Sequence, residues 1–393
     1  MRLSALLTTI ILSGVLFGCG GGNVDPVPKS VFAIIGDSPY GTSPTDNSQT
    51  AANPAFIAAL NADADVSLVL HAGDIHSGKQ YCTQEYNTVV FNQWKAFRHP
   101  LVYTPGDNEW TDCHKPAEGG GSYNAATGAI DYVKDAAGNL VDYKGGDPVE
   151  NLKLVRAQFF AAPGKTLGRV MDVNSQAVLF DVANPADKEY VENVWFEKSR
   201  VMVVTLNIPG GSNNDTDIWY GAPTMSPSQA QEVATRTAAD LRWLDTAFKR
   251  ATENNDLAVL IMLQADMWDA DGKPASHIVQ YKQFIDRIAS NTKAFGKPVL
   301  LVNGDSHIYR SDNPLKQGAP CTIETAVKIQ TTACASDPYT NQPNGYDVPN
   351  FHRIVVHGST GPLEWLKFTI DARADAPNGA NAFGPFSWAR IQP

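Results

Sequence analysis

The sequence predicts an α/β protein built around buried parallel strands. Short, continuous β-branched runs alternate with longer segments of 3.6-residue periodicity, the pattern of strands covered on both faces by helices. Four of those runs end in a Gly-Asp pair, in "VFAIIGDSPY", "VSLVLHAGDIH", "VYTPGDNEW" and "PVLLVNGDSHIY". A composition of 43% apolar and 18% charged residues is that of a chain with enough core to fold, and 393 residues suffice for one large domain.

At the N-terminus, Arg2 precedes the apolar run "LSALLTTIILSGVLF". The run is short and close to the start, which suits a secretory signal rather than a membrane span. It ends in "LFGCGGG", where Cys19 after Leu16, Phe17 and Gly18 resembles a bacterial lipobox, whose cysteine is lipidated and becomes the mature N-terminus. Residues 1–19 are therefore expected to be a lipoprotein signal peptide, 20–30 a flexible tether and 31–393 a single domain. The expected location is the bacterial cell envelope, facing periplasm or exterior, with the N-terminal lipid as the sole membrane attachment.

Within the domain, strands are expected at 31–35, 66–71, 100–104, 201–206, 257–263, 298–302 and 353–357. Helices are expected over "NPAFIAALNAD", "EYNTVVFNQWKAF", "DPVENLKLVRAQFF", "SPSQAQEVATRTAADLRWLDTAFKRATENN" and "SHIVQYKQFIDRIAS". Ser226 followed by Gln229 opens the long helix like a capping box. Insertions near 111–148 and 311–350 interrupt the rhythm, each directly after a Gly-Asp site. The first contains "IDYVKDAAGNLVDY", which reads as a small surface hairpin, and the second reads as a long stapled loop.

Apart from Cys19 the chain has four cysteines, Cys82, Cys113, Cys321 and Cys334, an even number that in an exported chain implies two disulfides. Four cysteines allow three pairings; Cys82 with Cys113 and Cys321 with Cys334 is expected because each pair closes a polar loop. No CxxC spacing points to a zinc knuckle. A net charge of −10 without any basic run argues against a nucleic-acid partner. "APGKTLG" lacks the leading glycine of a phosphate loop, "HGSTG" places His357 where a nucleophile elbow needs glycine, and "DADGK" lacks the distant glutamate of a calcium loop.

The strand ends carry the chemistry. In open α/β sheets ligands bind beyond the carboxyl ends of the strands, where Gly36-Asp37, Gly73-Asp74, Gly106-Asp107 and Gly304-Asp305 all fall. Glycine is expected to make the tight turn and aspartate to point into the crevice. Four gathered carboxylates repel one another unless a cation lies between them, so divalent metal is the expected partner.

The succession "GDSP", "HAGD", "PGDNE", "LIMLQAD" and "NGDSH", spread over residues 36–307, resembles the motif order of the calcineurin-like metallophosphoesterases, and "LRWLDTAF" is similar to that family's Trp-Leu helix. The resemblance implies a four-layer α/β/β/α sandwich and a metal-dependent phosphoesterase that hydrolyses a phosphodiester or related phosphate ester through metal-activated water. Its metal pair clamps the attacking and leaving oxygens of an in-line displacement. Carried over by position, Asp37 and His307 would hold the first ion, Asp74 would bridge, and Asp107, Gln264 and Asp305 would hold the second.

The chain departs from that family at defined places. Pro39 stands where a histidine ligand is expected, Asp107 replaces an asparagine, and Gln264 and Asp305 replace histidines. Asn108 occupies the position of the histidine that protonates the leaving group; an amide donates a hydrogen bond but delivers no proton. The carboxylate-rich set favours Mn, Mg, Ca or Fe over Zn, with one or two ions bound. Four carboxylates against two divalent ions leave the site near neutral, which favours a monoanionic diester over a phosphate dianion.

Several residues keep two readings. His76 in "GDIH" restores an Asp-x-His spacing and offers a ligand or a proton, or is a plain loop histidine. Asp266 is an alternative ligand to Gln264, Asn213 and Asn214 offer substrate contacts or an ordinary turn, and His71 reads as a core imidazole. His357 is left open, and Glu109 is expected to support its loop. The function itself has an alternative: a catalytically attenuated metal- or ligand-binding envelope lipoprotein of the same fold.

Overall fold

The computed structural model describes residues 27–269, 275–327, 329–341, 345–359, 363–374 and 380–393. The leader, Cys19, most of the tether and positions 270–273 of "DADGK" lie outside the described residues.

Two mixed sheets stack face to face. The first runs in the order Ala382–Phe383, Phe386–Ile391, Trp365–Ile370, Ser30–Ile35, Val66–His71, Pro100–Tyr103, Leu167–Gly168. Its three strands from Ser30 to Tyr103 are parallel. The second sheet is centred on Phe351–Val355, Val299–Asn303, Ala258–Met262 and Val201–Thr205, again parallel, with antiparallel strands on both flanks.

Period-two alternation builds the layers. In the Ser30–Ile35 strand, Phe32 and Ile34 face the second sheet, while Val31, Ala33 and Ile35 face the helices Ser48–Ala62, Gln84–Trp94 and Pro148–Phe159. In the second sheet, Val203 and Leu260 point inward, and Val204 and Ile261 meet the helices Pro227–Glu253 and Lys282–Phe295. Helix, sheet, sheet, helix is the four-layer sandwich that the resemblance implied.

All seven strands read from continuous apolar runs are present, most displaced by a residue or two. The strands Trp365–Ile370 and Phe386–Ile391 were not anticipated. Leu366, Phe368 and Ile370 bury one face while Lys367 and Thr369 stay half-exposed, so their signal is alternation, which a search for continuous runs misses.

The last expected helix breaks into Ala275–Gln280 and Lys282–Phe295. At the break lies buried Tyr281, whose hydroxyl donates to Pro209 O (2.9 Å) and accepts from Asn213 N (2.9 Å). Ser226 caps the long helix by accepting from Gln229 N (3.1 Å), but the box is not reciprocal: the Gln229 amide bonds Asn214 O, Asp217 O and Trp219 N instead.

Both insertions differ from expectation in detail. The hairpin pairs Gly121–Asn124 with Ala129–Tyr132, so "IDY" pairs backwards, and the "DAAGN" turn is flanked by a single bridge between Lys134 and Leu140. The second insertion contributes Arg310–Asp312, Thr322–Glu324 and Thr331–Ala333 to the flank of the second sheet. Disulfides join Cys82 to Cys113 and Cys321 to Cys334, at Cα separations of 5.7 and 5.4 Å. Among the described residues no helix is long and apolar enough to cross a membrane.

Candidate metal centre

The parallel strands of both sheets end on the same side, and their loops meet there. Asp37 follows Ser30–Ile35, Asp74 follows Val66–His71, Asp107 follows Pro100–Tyr103, and Asp305 with His307 follows Val299–Asn303. Loop Asp37 to Gly73 is tied by Asp37 N donating to Gly73 O (2.9 Å), and Asp305 N donates across the sheets to Asp37 Oδ1 (2.8 Å).

Of the four glycines, Gly73 (φ 93°) turns as expected, and the other three work differently. Gly36, Gly106 and Gly304 have no positive φ, whereas Asp37 (48°), Asp74 (59°) and Asp305 (75°) do. Residues other than glycine held in the left-handed region store backbone strain of a kind concentrated at functional sites. The glycine makes room: a Cβ on Gly106 would overlap Asp74 Oδ1, and one on Gly210, which ends the next loop, would overlap Asp107 Oδ2.

Three expected ligands form a compact group, since one ligand atom each from Asp37, Asp74 and His307 lie within 4.8 Å of one another. Asp37 and Asp74 are fully buried or nearly so. Among the described residues Asp37 Oδ2 has no hydrogen-bond partner. Asp74 Oδ2 is surrounded by donors, from Tyr40 Oη (2.7 Å), Asn108 Nδ2 (3.2 Å) and Gln264 Nε2 (3.2 Å). Tyr40 Oη also accepts from Asn108 Nδ2 (2.9 Å) and lies 3.3 Å from His307 Nε2. Asp107 and Asp305 form the adjoining half, both packed against Gly210.

Burial pushes the carboxyls of Asp37, Asp74 and Asp107 well above the usual carboxylate range. Neighbouring negative charge adds to it, from Asp305 at Asp37, from Asp107 at Asp74, and from Asp112 at Asp107. Burial and the nearby His357 push the His307 imidazole down to about 4, so it is neutral at pH 7 and free to ligate through its ring. Without a cation the cluster relieves this repulsion by holding protons, and a bound cation would take their place.

Gln264 requires a correction. Its Oε1 accepts from Gly210 N (2.5 Å), so its amide nitrogen faces the carboxylates and donates to Asp107 Oδ1 (3.0 Å) as well as to Asp74. It links the two carboxylates and presents no oxygen to a metal. His76 is not brought to the cluster either: burial pushes it down to about 4, its Nδ1 sits 3.3 Å from Ser77 O, and its ring packs edge-on against Tyr86. Asp266, the alternative ligand, is held by buried Arg353 and by Ser306 Oγ (2.9 Å). Its backbone N–H positions Asp305 by donating to Oδ2 (2.9 Å).

Asn108 lies where expected, over Asp74. Glu109 accepts from Asp74 N (3.1 Å) and from Tyr103 Oη, which is the supporting role read from the sequence. His71 is a core imidazole on Ser38 O (2.9 Å). Asn213 and Asn214 turn inward to Arg236 and Trp219, so the turn reading holds. His357 pairs with Glu324 (2.9 Å), a residue from the stapled insertion.

Sequence reasoning missed Tyr40, whose signal was an aromatic hydroxyl three residues after the first aspartate. It also missed the acidic rim beyond Asp107, where Lys115 bridges Asp112 (2.6 Å) and Asp217 (2.7 Å).

No family model matches the chain, and no curated protein matches it. Among solved structures it is similar to a purple acid phosphatase isolated from yellow lupin (Lupinus luteus) seeds, at 12% identity and a TM-score of 0.35. The match covers 93% of this chain and 54% of that one, so this chain spans about half of the plant protein's length.

Proposed function

We propose that this protein is a metal-dependent phosphoesterase acting on a phosphodiester or related phosphate ester. The observation that carries the reading is the group of buried carboxylates at converging strand ends, with Asp37 Oδ2 lacking any partner beside the neutral His307. Unpaired buried charge is costly, and a hard cation is the chemistry that this donor set fits. Asp37, Asp74 and His307 would hold one ion, with Asp107 and Asp305 facing an adjoining position. A bound divalent ion supplies charge stabilisation at a phosphoryl oxygen and activation of water.

The chain's own residues do the rest. Gln264 and Asn108 fix Asp74 by donation, and Tyr40, kept protonated by burial and by Asp74, donates to the same oxygen. Asn108 orients but has no proton to give, so esters with good leaving groups are favoured. The substitution at Asn108 also supports a second reading, in which the site holds metal without turnover. The lipobox-like Cys19 and the two disulfides support an envelope location with lipid attachment.

Metal analysis of the purified protein, with hydrolysis of bis(p-nitrophenyl) phosphate and p-nitrophenyl phosphate under added Mn²⁺, Ca²⁺ or Zn²⁺, tests the reading. Bound metal and turnover abolished by Asp74→Ala are expected. Absence of both overturns it, and metal without turnover selects the second reading. Membrane fractionation of a Cys19→Ser variant tests the anchor, with release to the soluble fraction expected.

A further inference from the structure

The cleft beside the carboxylates holds about 450 Å³ and is lined by Asp74, Asp107 and Asp305 together with Thr42, Ser77 and Lys79. Two lysines lie near it, and they differ in what they already hold. The Lys115 ammonium is taken up by Asp112 (2.6 Å) and Asp217 (2.7 Å). Lys79 lines the cleft, is exposed, and is joined by no ion pair to any carboxylate of the described residues.

The loop that carries Lys79 is pinned on both sides of it. Lys79 N donates to Ser77 Oγ (3.3 Å), which in turn donates to Gly41 O (2.5 Å). Buried Gln80 accepts from Gly41 N (2.8 Å) and Ser77 N (3.1 Å) and donates to Asp46 O (3.0 Å). The backbone is therefore ordered before a ligand arrives, and only the lysine side chain must be fixed on binding.

We infer that Lys79 is a specificity-determining residue that selects phosphate esters whose second arm carries an anionic group. The inference rests on the phosphoesterase reading, which places the phosphoryl group at the carboxylates and leaves the arm to the rest of the cleft lining, where Lys79 stands. The hydroxyls there are already committed, Ser77 Oγ to Gly41 O and Thr42 Oγ1 to Asp46 (2.8 Å), so among the described residues the Lys79 ammonium is the lining group with a cation left to offer. An ammonium on a flexible stem suits a point anion, carboxylate or phosphate alike.

The test is calorimetric binding of two isosteric probes, 2-carboxyethyl phosphate and 3-methylbutyl phosphate, to the full chain with Mn²⁺. The wild type is expected to bind the carboxylate-bearing probe about fivefold more tightly, with the ratio falling as salt rises. Lys79→Arg keeps the preference, Lys79→Ala brings the ratio to about one, and Lys79→Glu inverts it. Equal binding of both probes by the wild type, or a preference that survives in Lys79→Ala, overturns the inference. Hydrolysis of bis(p-nitrophenyl) phosphate is read separately. Turnover with equal probe binding rejects Lys79 alone, whereas binding of neither probe and no turnover rejects the phosphoesterase reading as well.

Discussion

Asp37→Asn should stabilise the metal-free protein at pH 8 and sharply reduce its stabilisation by metal. The amide oxygen can take the place of Oδ1 and keep the 2.8 Å bond from Asp305 N, while the amide nitrogen takes the place of the unpartnered Oδ2. An ionised Oδ2 in that place is costlier than a neutral amide, because burial desolvates it and Asp305 and Glu109 repel it; the difference is on the order of 1–3 kcal/mol, and the variant should gain about that much. With an unfolding entropy of about 2.1 cal/mol/K per residue, a chain of 393 residues has about 0.8 kcal/mol/K, and the gain corresponds to about 1–4 °C in Tm. The sign with pH follows from the direction of the shift. Because the folded-state pKa of Asp37 is raised above 3.8, the folded protein binds the proton more tightly than the unfolded chain. Ionisation thus costs stability as pH rises above that value, and the advantage of the variant should shrink toward pH 4. Mn²⁺ at about a hundred times its Kd should raise wild-type stability by about 2.7 kcal/mol, or about 3 °C, and the variant by much less. Differential scanning fluorimetry at pH 5 and pH 8, with chelator or Mn²⁺, reads all four conditions. A metal-free wild type more stable than the variant at pH 8, or equal Mn²⁺ shifts in both, would refute the reasoning.

Three further outcomes are expected. Asn108→His should raise kcat on an alkyl phosphodiester by about a hundredfold or more and change p-nitrophenyl turnover far less, because only the poor leaving group needs a proton; an equal change in both sinks the assignment. Arg353→Leu leaves Asp266 and Asp312 buried without their partner, so chemical denaturation should show a loss of about 3–5 kcal/mol, and a loss under 1 kcal/mol would contradict it. Cys82→Ser with Cys113→Ser opens a loop of 31 residues and should cost about 3–4 kcal/mol, while intact mass before and after reduction of the wild type should differ by four hydrogens.

The choice among three disulfide pairings came with the structure, whereas the sequence by itself determined the α/β class, the seven strands of continuous apolar residues and the presence of aspartates at strand ends. These are local signals: hydrophobic periodicity and residue type survive without knowledge of the partner strand. Tertiary structure alone decided what the gathered residues do. Gln264 looked like a ligand by position, yet the N–H of Gly210, reached only by crossing to a neighbouring strand's loop, claims its oxygen and turns its nitrogen to the carboxylates. His76 has the right spacing from Asp74, but its ring is directed to Tyr86 by the fold of the loop between them. Tyr40 carries no motif of its own and becomes part of the centre because Asp74, Asn108 and His307, from three other loops, converge on its hydroxyl. Position in a motif fixes which strand end a residue occupies. The direction of its donor atoms is set by long-range hydrogen bonds, and those are decided only when the two sheets are packed together.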